Sequence, residues 1–307
     1  MTNALRVHVP LPPRRDRRDR ATGSGVSELF ARNRRPIPFA LTVLFAAFII
    51  AIGGGHARAE TLRIGGTGTS YMLMQHLGAA FAKTHRDINL EFPGSLGSNG
   101  GIKALRTGAL GLATSSRTLK PEEAEAGLQL IPFARSPIAF VTSRPDRGTS
   151  LTSTDIVDIY GLRRSIWPDG KPIRIILRPQ SESDTIFLTR EFSKMDEALA
   201  VARRNTVLPV ADTDQDNVAL AEAMPDSFTA AALTTILSER RKLTTLRVNG
   251  VVASVDNLAS GSYPYAKLLY FVMSSEPSQG ARAFLKYVQS KEGRALLRQY
   301  GCLPIDQ

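Results

Sequence analysis

Four short segments rich in glycine, serine and threonine offer the clearest chemistry in this sequence. Each lies where an apolar run gives way to a helix-like pattern, at residues 65–70, 94–101, 114–117 and 181–185. The first turn of a helix has unpaired backbone N–H groups and partial positive charge, and glycine lets an anion approach the backbone closely. Singly, each segment is typical of an ordinary Ser/Thr helix cap. Together, the four predict a cage of amides and hydroxyls around one small oxyanion.

Charged residues near the last segment bear on the same prediction. Arg178 follows an apolar run and precedes Ser183 by five residues; its guanidinium can donate two parallel hydrogen bonds to an oxyanion. A surface position before Pro179 is the alternative interpretation. Glu182 and Asp184 repel an anion unless one of them accepts its proton, and they are otherwise compatible with acidic charge at a helix start. Arg117 is interpreted as a solvated arginine outside the site.

Residues for catalysis or metal binding are scarce. The chain has four histidines and the single cysteine Cys302, and it contains no G-x-S-x-G, H-E-x-x-H or G-x-x-x-x-G-K-[ST] motif. We therefore predict no catalytic residue, no metal, no cofactor and no enzymatic activity. A phosphatase-type hydrolase that uses one of the serines is the less favoured alternative.

The N-terminal stretch has the three parts of an export signal. Arginines precede an apolar run at 39–52, and Ala57-Arg58-Ala59 follows as an A-x-A cleavage site. The apolar run is shorter than the roughly 20 residues of a membrane-spanning helix. We predict a signal peptide at 1–59 with cleavage after Ala59 and a periplasmic protein. The Sec and twin-arginine routes both stay open.

The charge of the chain is concentrated in that stretch. The whole chain carries a net charge of +11. Residues 1–59 hold ten arginines and three acids, so the remainder has 29 basic and 25 acidic residues and a net charge of +4. Nucleic acid is accordingly excluded as a partner, because the excess basicity belongs to the export signal.

The remaining chain alternates short apolar runs with amphipathic stretches, which predicts α/β layers and a largely parallel sheet. The predicted strands are at 61–66, 88–92, 110–114, 128–133, 138–142, 173–177 and 265–273. The predicted helices are at 71–84, 101–107, 121–126, 153–160, 185–192, 195–205, 278–290 and 291–300.

In the order and spacing of these segments, residues 60–307 resemble the PstS-like phosphate-binding proteins of ABC importers, a branch of the periplasmic binding protein family. The matching segments are Gly-Thr-Gly-Thr-Ser-Tyr at 66–71, Gly-Ser-Asn-Gly-Gly-Ile-Lys at 97–103, Ser-Ser at 115–116, Arg178 with Ser-Asp-Thr at 183–185, and Gly-Ser-Tyr-Pro at 261–264.

The resemblance implies a set of oxyanion ligands. It assigns hydroxyls to Ser70, Ser98, Ser183 and Thr185, backbone N–H groups to Tyr71 and Asp184, and a bidentate charge to Arg178. Thr69 and Ser116 complete the predicted set. Three departures are visible: Ser116 stands where the family commonly has a proton-accepting aspartate, Asp184 stands where it has glycine, and the interval from Arg178 to Ser183 is one residue longer. Phosphate stays the leading ligand, ahead of sulfate, molybdate and tungstate.

The resemblance also implies the fold and the biological role. The expected fold is a two-lobed, type II-like periplasmic binding protein whose cleft lies between lobes joined by crossover strands and closes by a hinge. Lobe 1 is expected at 60–142 plus 250–307 and lobe 2 at 143–249. The expected function is capture of phosphate, as a monomer, and its delivery to an ABC permease in the inner membrane. A periplasmic sensory or adaptor protein of the same fold is the alternative.

Overall fold

The computed structural model describes residues 60–145 and 148–306, which lie within one compact unit spanning Ala57–Gln307. The predicted signal peptide lies outside the described residues. None of the helices in the described ranges has the length and apolar character needed to cross a bilayer.

The strands of the described residues form a nine-stranded mixed sheet and a separate three-stranded sheet. The strands are β1 Glu60–Gly66, β2 Ile88–Glu91, β3 Leu112–Ser115, β4 Gln129–Thr142, β5 Ser150–Leu151, β6 Arg174–Ile175, β7 Ser227–Ala232, β8 Thr244–Thr245, β9 Arg247–Val248, β10 Val251–Val252, β11 Ala266–Met273 and β12 Leu303–Pro304. The main order of the larger sheet is β2-β1-β3-β11-β4-β7-β6, and the order of the smaller sheet is β10-β9-β5. The β1–β2, β1–β3 and β6–β7 pairs are parallel, whereas β11 and β4 pair antiparallel with each other and with their other neighbours. The prediction of a largely parallel sheet is therefore wrong for its centre.

Strand β4 also differs from the prediction, which divided it into 128–133 and 138–142. It is one strand of 14 residues. Its first part pairs with β11 as far as Pro137, and its second part pairs with β7 from Ile138 onward. The strand continues because a new partner strand takes over its hydrogen bonds where the first one ends, and local sequence does not report this change of partner.

All eight predicted helices are present within four residues of their predicted bounds, and the described residues form three further α-helices. The helices are α1 Tyr71–Phe81, α2 Gly97–Arg106, α3 Pro121–Glu125, α4 Ser153–Tyr160, α5 Ser183–Glu191, α6 Met195–Arg203, α7 Asp214–Ala223, α8 Leu233–Ser238, α9 Val255–Ala259, α10 Gln279–Gln289 and α11 Lys291–Gln299, and the three further ones are α7, α8 and α9. A short 3-10 turn at Gly68–Ser70 leads into α1. Helix α2 starts four residues earlier than predicted, so Ser98 lies within its first turn rather than in a preceding loop.

Two large hydrophobic clusters form the core. One contains buried residues between 62 and 134 together with residues between 269 and 302, including Phe81 and Phe284. The other contains buried residues between 138 and 263, including Phe140 and Phe228. Strand β4 contributes to both, since Phe133 belongs to the first cluster and Phe140 to the second. The residue boundaries of the two lobes stay a prediction.

Two glycines bring the Ser/Thr segments together. Gly66 has a φ of 137°, and a Cβ there would lie 2.1 Å from the carbonyl oxygen of Thr114. A Cβ on Gly101 would lie 2.5 Å from the Cα of Gly66. A side chain at either position would force the backbones apart. The absence of side chains therefore lets the start of α2 approach the carboxyl ends of β1 and β3.

Candidate functional site

Four hydroxyls meet at the ends of these elements, and we call them the hydroxyl cluster: Thr67, Ser98, Ser116 and Ser183. The Ser116 hydroxyl donates to Ser183 Oγ at 3.0 Å and lies 3.1 Å from Thr67 Oγ1 and 3.3 Å from Ser98 Oγ. The Ser116 backbone N–H donates to Ser98 Oγ at 3.1 Å. Ser183 begins α5, whose Phe187 and Leu188 pack in the second core. Ser116 therefore links the end of β3, which packs in the first core cluster through Leu112, to α5, which packs in the second.

The helices at this cluster start without side-chain caps. The residues at the N-cap positions of α2 and α5 are Leu96 and Glu182, and neither makes a capping hydrogen bond. Ser70 occupies the N-cap position of α1, yet its hydroxyl does not cap the helix and is buried without a hydrogen-bond partner. The ordinary interpretation of these serines as helix caps therefore fails for all three helices. At α1 the Tyr71 N–H donates to the Gly68 carbonyl and the Ser70 N–H to the Thr67 carbonyl, so the N–H groups left for a ligand are those in the first turns of α2 and α5.

A second group, the buried ion cluster, lies beside the hydroxyls and consists of Thr69, Arg178, Asp184, Asp214 and Lys267. Lys267 Nζ donates to Asp184 Oδ1 and, at 3.3 Å, to Thr69 Oγ1. Thr69 in turn donates to Asp214 Oδ1 at 3.0 Å. Arg178 Nε lies 3.5 Å from Asp184 Oδ2, and its Nη2 lies 3.8 Å from Asp214 Oδ2. All five side chains are at least nine-tenths buried.

The three acids of this region differ in the direction of their pKa shifts. Burial alone would raise the pKa of Asp184, but the charges of Lys267 and Arg178 outweigh burial and hold that pKa below its usual value. Burial and the repulsion by Asp184 raise the pKa of Asp214. Burial likewise raises the pKa of the half-buried Glu182, although Arg178 attracts its charged form. Asp214 and Glu182 are therefore the carboxyls of this site that most readily hold a proton.

An open cavity of about 440 Å³ adjoins the hydroxyl cluster. Ser98, Ser116, Ser183 and Lys267 line it, together with an apolar wall. The wall is formed by Leu96, Ile186, Phe187, Leu268 and Tyr270. Arg117 also lines the cavity, and both its terminal nitrogens donate to the Glu123 carboxylate at 2.7 Å. Because this pair neutralises Arg117, the cavity gains little positive charge from it.

The structure separates the nine residues predicted as ligands. Ser98, Ser116 and Ser183 meet in the hydroxyl cluster, and Thr69, Arg178 and Asp184 meet in the buried ion cluster. Ser70 precedes α1, and the N–H of Tyr71, the first residue of α1, donates to the Gly68 carbonyl instead of facing a ligand as predicted. The Thr185 hydroxyl donates to the carbonyls of Arg178 and Pro179, at 3.3 and 2.9 Å, and Thr185 lines a different cavity, with Thr189 and Asp196. Which of the nine contact a ligand stays a prediction.

Three members of the two clusters are missing from the predicted set. Thr67 lies in a predicted segment and carries the signal that pointed to its neighbours. Lys267 lies in the apolar strand β11 at a buried position, and a charged residue at a core position of a strand is the signal that would have identified it. Asp214 follows a helix-capping threonine, so its sequence context predicts only a favourable helix start. Within residues 60–145 and 148–306 no group of three or more His, Cys, Asp and Glu side chains is placed to hold a metal ion.

Comparison with known proteins gives matches along most of the chain. A model of the PBP superfamily domain matches residues 53–292. Protein SphX of Synechococcus elongatus is 23% identical over 286 residues, covering 85% of this chain and 82% of SphX. The phosphate-binding protein PstS of Borreliella burgdorferi is 23% identical over 258 residues, covering 80% of this chain and 90% of PstS.

A solved structure confirms the expected two-lobed fold. It is a substrate-binding protein from Clostridium perfringens, assigned to phosphate ABC transport and holding bound phosphate. Its TM-score to this chain is 0.70 at 22% sequence identity, and the match covers 80% of this chain and 100% of that protein.

Proposed function

The chain belongs to the PBP superfamily, and from this premise we propose that it is an exported solute-binding protein that captures phosphate or a similar tetrahedral oxyanion and delivers it to an ABC importer. Two proteins support this assignment: the phosphate-binding protein PstS of Borreliella burgdorferi and the phosphate-bound protein from Clostridium perfringens. The proposal places the protein in the periplasm after removal of residues 1–59, as a monomer that docks on a membrane permease.

The observation that carries the proposal is the hydroxyl cluster. Ser98 lies in α2, Ser116 lies directly after β3 and Ser183 begins α5, and the three hydroxyls meet at the wall of one cavity. Hydroxyls and uncapped helix N-termini are neutral donors, which bind an oxyanion without a permanent charge of their own. Lys267 reaches the same cavity and adds a cation. This set of groups binds and orients an anion.

We propose binding without turnover. The described part of the chain places no histidine in contact with the hydroxyl cluster: His76 hydrogen-bonds the Ser238 carbonyl and stacks on Tyr300, and His85 stacks on Phe81. A serine nucleophile needs an adjacent base within hydrogen-bond reach. Incubation with a chromogenic phosphate ester is expected to release no product. Turnover that disappears in Ser98→Ala would instead establish the hydrolase.

Calorimetry of the purified protein tests the binding function directly. Phosphate, sulfate and molybdate are titrated separately, at about pH 5 and at about pH 8, because phosphate changes its protonation over this range. Saturable binding of at least one of the three is expected. Binding of sulfate or molybdate without phosphate would correct the ligand and leave the class intact, whereas the absence of all three would remove the proposal.

A phosphorylated organic compound is the second candidate ligand. The cavity of about 440 Å³ falls in the range of roughly 300–1,000 Å³ that is usual for organic ligands. Its apolar wall includes Leu96 and Ile186, which are 43% and 52% exposed. An organic group on that wall would bury apolar surface while its phosphate contacts the serines. Glycerol 3-phosphate and phenyl phosphate, titrated beside inorganic phosphate, test this candidate, and weaker binding of both esters would exclude it.

A further inference from the structure

The buried ion cluster already contains an anion in contact with its two cations. The Asp184 carboxylate lies between Lys267, which donates to Oδ1, and Arg178, whose Nε is 3.5 Å from Oδ2. The three side chains are only 2–6% exposed. The carboxylate therefore occupies the position between lysine and arginine that an oxyanion ligand would need in order to contact both.

The carboxylate uses only part of the donor capacity around it. Arg178 Nε and Asp184 Oδ2 are both buried without a hydrogen-bond partner, although they form an ion pair. The hydroxyl of Ser70, the residue after Thr69, is also buried without a hydrogen-bond partner. Arg178 Nη1 already donates to the Ala211 carbonyl, and Lys267 Nζ donates to Thr69 as well as to Asp184. Among the described residues, Arg178 Nε is therefore the donor atom of the two cations that is left unpaired. A tetrahedral oxyanion has four oxygens against the two of a carboxylate, so it can accept from Lys267 and from Arg178 Nε at once.

The same carboxylate sets the charge that an incoming anion meets. Lys267 lines the open cavity with Ser98, Ser116 and Ser183, whereas neither Arg178 nor Asp184 belongs to that lining. An anion in the cavity therefore approaches a lysine whose charge Asp184 already neutralises. Its own attraction to Lys267 and its repulsion by Asp184 act over similar short distances and largely cancel.

The Asp184 carboxylate is held by contacts with other side chains. Asp184 is the second residue of α5, and its carboxylate has Lys267 as its hydrogen-bond partner and makes no bond to backbone N–H groups among the described residues. Movement of the carboxylate would therefore break contacts with Lys267 and Arg178 while leaving the helix intact.

We propose that Asp184 is an internal competitor of the ligand: its carboxylate occupies the lysine–arginine pair in the empty protein, and a bound oxyanion displaces it. This inference rests on the proposed oxyanion-binding function and adds the residue that sets its affinity. Asp184 lowers the affinity because each binding event must exchange an existing ion pair for a new one. Oxyanions that satisfy both cations are favoured over those that contact Lys267 alone.

The test is calorimetry of Asp184→Asn with inorganic phosphate and with sulfate. Asparagine keeps the size of the side chain and removes its charge, so both affinities are expected to rise by about tenfold or more. Asp158→Asn is the matched control: Asp158 forms an ion pair with Arg163 at 2.7 Å, and it does not line the cavity. That control is expected to bind like the unmodified chain. Equal or weaker phosphate and sulfate binding by Asp184→Asn, relative to the unmodified chain, would overturn the inference.

Folding of the variant gives a second, independent readout. Removal of Asp184 leaves buried positive charge without its partner, so the empty variant is expected to unfold at lower temperature than the unmodified chain. Phosphate should then raise the thermal unfolding midpoint of Asp184→Asn more than that of the unmodified chain, because phosphate replaces the missing carboxylate. Asp184→Gly serves as the second variant. If both variants stay unfolded in tens of millimolar phosphate, an external anion cannot take the place of the carboxylate and the inference is wrong.

The outcomes separate this inference from the proposed function. Phosphate binding by the unmodified chain with no gain in Asp184→Asn removes the inference and leaves the function. Binding by Asp184→Asn alone supports the inference and removes the function. The absence of any oxyanion binding in both chains removes both.

Discussion

The hydroxyl cluster and the buried ion cluster contain neighbouring residues, such as Ser183 and Asp184. They differ in charge, in exposure to the cavity, and in the free energy that an unpaired group would cost. The hydroxyls of Ser98, Ser116 and Ser183 are neutral and line an open cavity. Arg178, Asp184, Asp214 and Lys267 are ionisable and buried. In the empty site the neutral hydroxyls hydrogen-bond to one another, so little free energy of folding is lost. A buried charge without a partner is strongly destabilising, so the ions must stay paired. The comparison indicates that the empty site is kept stable by its own acids, at the expense of affinity for an external anion.

The largest expected effect follows from removing Lys267, the cation of the ion cluster that also lines the cavity beside the hydroxyl cluster. Lys267→Met leaves Asp184 and Asp214 buried without that partner, so the free energy of unfolding is expected to fall by about 3–5 kcal/mol. Urea denaturation measures it. Lys286→Met on the exposed face of α10 is the control and is expected to be nearly neutral. A loss of stability in Lys267→Met as small as that of the control would show that pairing with Lys267 does not stabilise the ion cluster.

Arg178→Lys sharpens the comparison within the ion cluster. Lysine keeps the charge and loses the fork that reaches Asp184, Asp214 and the Ala211 carbonyl. Phosphate affinity is expected to fall by more than tenfold, because a buried charged hydrogen bond contributes roughly 1.5–3 kcal/mol. Calorimetry compares it with Arg163→Lys, a change in an exposed ion pair. Unchanged affinity would place Arg178 outside the binding site.

Ser116→Ala examines the hydroxyl cluster in the same assay. It removes the hydroxyl that donates to Ser183 and lies beside Thr67 and Ser98. A neutral hydrogen bond contributes about 0.5–1.5 kcal/mol, so a loss of roughly two- to tenfold in phosphate affinity is expected. Ser262→Ala, at an exposed turn, should leave the affinity unchanged. A larger loss than in Arg178→Lys would reverse the ranking of the two clusters.

The smallest expected effect is a pH dependence of sulfate binding. Asp214 and Glu182 have raised pKa values, so they take up protons on acidification before an ordinary carboxyl does, whereas Asp184, beside Lys267 and Arg178, has a lowered pKa and stays charged. Each proton removes a negative charge that repels the ligand. Sulfate stays a dianion throughout, so its affinity is expected to rise severalfold from about pH 8 to about pH 5. Calorimetry in buffers of different ionisation enthalpy measures the proton uptake, and an affinity that falls on acidification would contradict this assignment.

Much of the hydroxyl cluster could be predicted from the sequence because its signal is local. Glycines and hydroxyls at strand–helix junctions are recognisable within segments of four to eight residues, and Ser98, Ser116 and Ser183 are all in the predicted set. The ion cluster was predicted only in part. Arg178 stands beside a predicted segment, whereas Lys267 is 83 residues from Asp184, and no local pattern connects them.

The fold shows the same division. Amphipathic periodicity predicted helices such as Ser153–Tyr160 at the observed bounds, because that pattern is a property of the segment itself. The single long β4 and the antiparallel centre of the sheet were missed. Both depend on which strand lies alongside, and pairing partners such as β4 and β11 are separated by more than a hundred residues.

By itself, the sequence determined where eight of the helices lie and that small donors cluster at strand–helix junctions, since these follow from residue types at short spacing. Only the tertiary structure decided that Ser116 contacts Ser183, that Lys267 pairs with Asp184, and that this carboxylate lies between two buried cations. The physical reason is that ion pairing and burial depend on distance in space. Chain folding sets that distance through contacts between residues that the sequence places far apart.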